Sequence, residues 1–291
     1  MNTSLNHLSR LHKERLETAK KIIIDSVHPE KIILFGVYSV EADAALFDGH
    51  ARSEKLPSGM GAYDLLVVMR DGDRRSDYEL QDIIENRCRD MVPVTVLVHD
   101  IGYINRRIAE GHYFFSMIRR EAILLYDAGR TPLAEAGVVD LVQVKVTALR
   151  DFERWRRQAW AFFRSAEFNV KEEEWRIATF LLHQAAEHMY QAILLAFTGY
   201  KPTTHNLDKL RRYTNRFSIE LALLFPRDSE EEDRLFRLLL SGYVDARYKE
   251  DFMITGAEVG VLTARIRQLL EIAERVCRNR LLSLEKRAAG A

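Results

Sequence analysis

A chain of 291 residues is long enough for two domains that each bury a core, or for one large one. With 47% hydrophobic and 30% charged residues but only 14 Gly and 6 Pro, the composition excludes a disordered or turn-rich chain and favours long helices. Lys and Arg (43) balance Asp and Glu (43), so no net field draws the whole molecule to nucleic acid or to an anionic membrane, and any such binding must come from a local patch.

In chain order, apolar residues from 5 to 27 recur at helical spacing until His28-Pro29 ends the run. Residues 31–37 (KIILFGV), closed by Gly36, read as a strand, and residues 63–69 (YDLLVVM) as a second. A helical pattern over 76–89 leads to a third strand at 92–98, and a helix over 101–119 to a fourth at 121–126. Strands alternating with helices predict a small mixed α/β domain over residues 1–135. Gly129, Pro132 and Gly137 punctuate a connector at 128–139. Beyond it the periodicity is helical throughout, over 140–169, 173–198, 206–215, 229–247 and 256–284, which predicts an all-α bundle over 140–285. Residues up to 139 carry 18 basic and 21 acidic side chains and the remainder 25 and 22, an asymmetry too small to imply a nucleic-acid partner by itself. Cys88 and Cys277 lie far apart in helical patterns and predict a reducing compartment. The amino terminus has no secretory apolar region, and no apolar run approaches the about 18 to 20 residues that cross a bilayer. A cytoplasmic protein without a membrane partner is the expectation.

The order helix, strand, Gly turn and acid-bearing strand resembles the nucleotidyltransferases of the polymerase-beta type, in particular their minimal bacterial members. The family signature is a Gly-Ser pair after the first strand, an Asp-x-Asp on the second and a further carboxylate on a third. Side chains at i and i+2 of a strand share a face, so such carboxylates can hold two divalent cations over a triphosphate. Here Gly36 matches the glycine and Asp64 the second Asp, while Val37, Ala62 and a position at or near Thr95 depart from the pattern. The resemblance implies a nucleotide site at Gly36, Ser39 and Asp64, with Asp64 as a ligand for Mg2+ bound with a nucleotide. Glu41, Asp43, Asp48 and Glu54, in the long connection between Gly36 and Asp64, could fold back as a further ligand. Asp100, five residues past Thr95, points to the opposite face of an extended strand.

Further along, Gln184-Ala185-Ala186-Glu187, Gly199, His205-Asn206-Leu207 and Ala246-Arg247-Tyr248 occur in that order. This segment strongly resembles the HEPN domain, the helical domain of higher-eukaryote and prokaryote nucleotide-binding proteins, over residues 145–284. Fusion behind a nucleotidyltransferase fold is a known arrangement of that family. The resemblance implies a homodimer through the helical domain, and a nucleotide or RNA as ligand with Arg247 and Tyr248 at its site. Gln184, Glu187, His188 and Gln191 form one polar stripe on an otherwise apolar helix, which must therefore be central and must meet polar partners. Arg247 is the expected buried partner of Glu187. His183 and His188, five apart, point in different directions and cannot share a metal.

Ribonucleases of the family carry Arg, four to six residues, then His; after Arg247 no His follows in range. Arg107 with His112 and Arg176 with His183 have the spacing at other positions. Lys209, Arg211, Arg212 and Arg216 around Tyr213 read as a solvated basic face, and Glu230 to Asp233 as the acidic first turn of a helix. The expectation is a nucleotide- or RNA-binding module with a degenerate nucleotidyltransferase domain rather than a catalyst. An active metal-dependent nucleotidyltransferase, with Asp64 and Arg247 as its candidate residues, is the first alternative and a HEPN ribonuclease of toxin–antitoxin type the second.

Overall fold

The computed structural model describes residues 1–37 and 63–289, divided into one unit to Asp140 and a second from Leu141. In the first, Ser9 accepts the His12 amide to start helix α1 (Arg10–Val27), and His28, in the left-handed conformation, ends it. Strands β1 (Lys31–Val37) and β2 (Tyr63–Met69) are buried along their whole length. A reciprocal cap between Ser76 and Glu79 opens α2 (Asp77–Cys88), and β3 (Val94–Asp100) follows. Pro93 cannot donate to a ladder and Val92 bonds back to Cys88, so this strand begins two residues later than its apolar run suggests.

Asp100 accepts the Tyr103 amide at 2.6 Å as the cap of α3 (Ile101–Ala109), a role that explains an acid at the strand end. The single helix expected over 101–119 is two, α3 and α4 (Tyr113–Glu121), because Gly111 turns with φ +69° where a Cβ would lie 2.2 Å from the Val138 carbonyl oxygen. Strand β4 (Ile123–Asp127) completes a sheet of order β3-β2-β1-β4. The β1/β2 and β1/β4 pairs are antiparallel and β2/β3 is parallel. One face packs Ile32, Leu34, Leu65, Val67, Val96 and Val98 against α1 and α2. On the other, Phe35 meets Phe114 of α4 edge to face.

The second unit is helical throughout its described residues. Helix α5 (Leu141–Lys171) packs along α6 (Trp175–Thr198), which ends on the left-handed Gly199. Helices α7 (Leu207–Asn215) and α8 (Ile219–Leu223) are short, the latter unforeseen because five residues show no period. The helix expected over 229–247 stops at Ser241, giving α9 (Glu230–Ser241) and the single turn α10 (Asp245–Tyr248). Gly242 comes against Thr179, a Cβ there lying 3.0 Å from the threonine methyl. Ser229 caps the acidic first turn of α9. The long α11 (Gly256–Ala289) packs on both α5 and α6. Nearly the whole surface of α6 is covered, its apolar residues filling the core of the unit. No described helix is long and apolar enough to cross a membrane.

Candidate functional site

In the α/β unit the register sets Gly36 opposite Asp64, and Asp64 opposite Thr95. A Cβ on Gly36 would stand 2.6 Å from Asp64 Oδ2 and 3.0 Å from its Cβ, so the glycine makes room for the carboxylate. Asp64 and Thr95 are both buried. Ser39, Tyr38, Ala62, Glu41, Asp43, Asp48 and Glu54 lie outside the described residues. Among the described residues no group of three or more His, Cys, Asp or Glu side chains could hold a metal ion, and the strand neighbours of Asp64 are a glycine and a threonine. The described residues therefore do not fit the Mg2+ pair that a nucleotidyltransferase needs. Arg107 pairs with Glu110 and His112 stands at the start of α4, both within the packing of this unit.

In the helical unit the polar stripe of α6 meets the segment that follows it. The Glu187 carboxylate, buried, accepts the His205 Nδ1–H at 2.8 Å and the Gln184 side-chain amide at 3.3 Å. Gln191 donates to the Thr204 carbonyl, and His188 sits beside Trp155 and Phe162. His183 is directed elsewhere: its Nδ1 lies 3.0 Å from the Leu239 carbonyl oxygen, which can only accept. That bond places the proton on Nδ1 and leaves Nε2 without a hydrogen bond, 3.8 Å from Glu187 Oε2. Burial holds both His183 and His188 below the ordinary imidazole range, and the nearby charges of Arg247 and His205 act in the same direction on His183.

Arg247 is not the partner of Glu187. It is exposed, and its Nε donates to the Tyr243 carbonyl one turn back. The guanidinium carbon lies 4.5 Å from the ring centre of Tyr243 and 4.8 Å from those of Phe180 and Tyr248. Three rings thus brace a cation whose terminal nitrogens make no hydrogen bond or ion pair with the described residues. The carboxylate is satisfied instead by His205, which the loop between α6 and α7 delivers 18 residues further on. Arg176, four residues before Phe180, donates to the carbonyls of Ala246, Lys249 and Glu250 and so pins the turn that carries Arg247. With its donors on carbonyls and His183 buried, that pair is built into the framework of the site. Tyr248 is 73% exposed beside the guanidinium.

Sequence reasoning named Arg247 and Tyr248 but missed Phe180 and Tyr243. The i, i+4 spacing of Tyr243 and Arg247 was the available signal. The basic face expected on α7 is turned inward: Lys209, Arg211 and Tyr213 are buried. Asp208 draws Arg211 and Arg212 from three and four residues away, and Arg227 from beyond the helix. The Arg211 guanidinium lies over Phe236.

Comparison with known proteins places residues 152–278 in the HEPN domain family. The crystal structure of a nucleotidyltransferase-like protein from Exiguobacterium sibiricum is similar over 95% of this chain and 80% of its own, with 10% identity and a TM-score of 0.30. No curated protein matches the chain. The α6 stripe and the braced Arg247 both fall inside the matched residues, and residues 152–278 are accordingly a HEPN domain, preceded in the chain by a four-stranded α/β unit.

Proposed function

We propose that the helical unit binds a phosphorylated nucleotide, or the end of an RNA, at Arg247, and that the protein acts as a binding module rather than as a catalyst. The observation that carries this reading is the guanidinium held among Phe180, Tyr243 and Tyr248 with its terminal nitrogens unengaged. A phosphate takes both in one planar fork, and the exposed Tyr248 ring offers a face on which a base stacks. No histidine follows Arg247 at the spacing of the ribonucleases. In the α/β unit, Val37 and Thr95 stand where the resemblance calls for a hydroxyl and a carboxylate, which supports a nucleotidyltransferase-like fold without transfer chemistry.

A cytoplasmic homodimer belongs to the same reading. Both cysteines are free and buried, each in its own unit. Ile177, Val244 and Met253 expose apolar side chains along the segments around Arg247, the kind of surface a second copy covers. Light scattering after gel filtration checks this: the protein elutes as a dimer and Met253→Glu as a monomer, whereas a monomeric parent protein refutes it.

Isothermal titration with ATP, GTP, AMP and oligouridylate tests the binding reading. A charge-assisted fork is worth about 1.5–3 kcal/mol, so Arg247→Ala weakens the ligand about 10- to 150-fold. Absence of heat with every one of these ligands at millimolar concentration sinks the proposal.

A further inference from the structure

Helix α5 carries a feature that the balanced total charge conceals. Arg150, Arg154, Arg157 and Arg164 are all exposed, and with Ala161 and Phe168 they follow one another at spacings of three or four residues. At about 100° per residue these six fall within about 80° of the helix circumference, and from Arg150 to Arg164 the row runs about 21 Å. Ala161, Arg164, Ser165, Phe168 and Asn169 line a shallow groove at one end, and Arg150, Glu153, Arg154 and Arg157 line another at the other. The neighbouring acids are engaged elsewhere: Glu153 with Arg156, and Glu167 with Arg267. Asp151 pairs with Arg150 alone. Arg154, Arg157 and Arg164 make no ion pair or hydrogen bond among the described residues, so a row of positive charge stands uncompensated on a rigid helix.

We propose that this face of α5 docks a single strand of nucleic acid, with its phosphates on the arginines and a base on Phe168. Charge complementarity selects a polyanion. The make-up of the row selects a nucleic acid over an acidic protein: arginine is common in both kinds of interface, but a protein interface is built round an apolar core, and between Arg150 and Arg164 the only apolar side chain in this row is Ala161. Phe168, 62% exposed at the end of the row, gives a stacking surface that only an unpaired base can use. Arginine forks also suit phosphate geometry better than a diffuse ion atmosphere requires. The inference is independent of the ligand at Arg247: either surface can fail without the other.

Fluorescence anisotropy of labelled oligouridylate, with oligothymidylate as a second arm, tests it on the full chain across salt. Neutralising three phosphates of a single strand gives a log–log slope of about −2.1, so affinity falls about 20-fold between about 50 and about 200 mM salt. The triple variant Arg154→Ser, Arg157→Ser, Arg164→Ser leaves only Arg150, which is paired with Asp151, and a slope near zero. The corresponding triple Lys variant keeps the charge and keeps the parent slope. Phe168→Ala weakens the strand about tenfold or more with the slope unchanged. Arg247→Ala moves the slope by no more than one phosphate, which separates the two surfaces. Equal binding of both oligonucleotides marks the phosphates as the ligand. A Ser triple variant with the parent slope overturns the proposal, as does displacement of the oligonucleotide by polyglutamate at equal charge concentration, which would make the occupant an acidic protein.

Discussion

Replacing Gly36 by alanine asks Asp64 to move, and the structure sets the scale of the cost. The added Cβ meets the carboxylate oxygen at 2.6 Å and the Asp64 Cβ at 3.0 Å. Ordinary contacts lie near 3.5–4.0 Å, so the overlap approaches an ångström. Asp64 cannot swing away, being 1% exposed on a strand paired along both edges. Overpacking of this kind costs about 1–3 kcal/mol, partly offset by the about 0.5–1 kcal/mol that alanine gains over glycine in a strand. The expected net loss is about 1–2 kcal/mol. In an Asp64→Gly background both the carboxylate and the Cβ are gone and Gly36→Ala becomes nearly neutral, a coupling of about 1 kcal/mol or more. All three tryptophans, Trp155, Trp160 and Trp175, lie in the helical unit, so hydrogen exchange of β1 and β2 amides is the assay for the sheet. Additive effects in the double variant would refute the account of why a glycine stands at position 36.

The helical unit loses stability on mild acidification. Burial lowers the His183 and His188 values, so the unfolded chain takes up protons near pH 6.5 that the folded unit refuses, and stability is full above that pH and falls below it. Each histidine contributes a slope of up to about 1.4 kcal/mol per pH unit. Urea midpoints followed by tryptophan fluorescence drop between pH 7 and 5.5, His188→Gln removes about half of the drop, and a flat profile contradicts it. At the sheet edge, the buried Lys31 ammonium rests on Asp127 at 2.6 Å. Asp127→Ala strands that charge and costs about 2 kcal/mol, less than a fully buried pair because Asp127 is partly exposed. Lys31→Met costs less than Asp127→Ala in the same hydrogen-exchange measurement, and the reverse order would contradict the pairing.

Where an element depends on its own residues, the sequence was readable. The runs 31–37 and 63–69 form β1 and β2 with the expected ends, since each is a short, mostly apolar and β-branched or aromatic stretch. Helix α6 announced itself as central because so few of its positions are polar. What depends on a distant neighbour was not readable. Gly111 breaks the helix over 101–119 because Val138 crosses it. Glu187 takes His205 as its partner rather than the expected Arg247. Arg176 decides between them by holding the turn of Arg247 through three carbonyls, a constraint with no signature in side-chain type. On α7 the face expected to be solvated is buried at Lys209, Arg211 and Tyr213, because Asp208 and the ring of Phe236 pull Arg211 inward.

The claim at the centre of the account is that Arg247 presents its unengaged donors to a phosphate. Its most direct test is the dissociation constant of one nucleoside triphosphate for the parent protein, Arg247→Lys and Arg247→Ala, compared with the unphosphorylated nucleoside. The account predicts that the triphosphate weakens about 10- to 150-fold in the alanine variant and by an intermediate factor in the lysine variant, which keeps the charge and loses the fork. The nucleoside, held by stacking alone, responds to neither. Equal affinity of all three proteins for the triphosphate would contradict it.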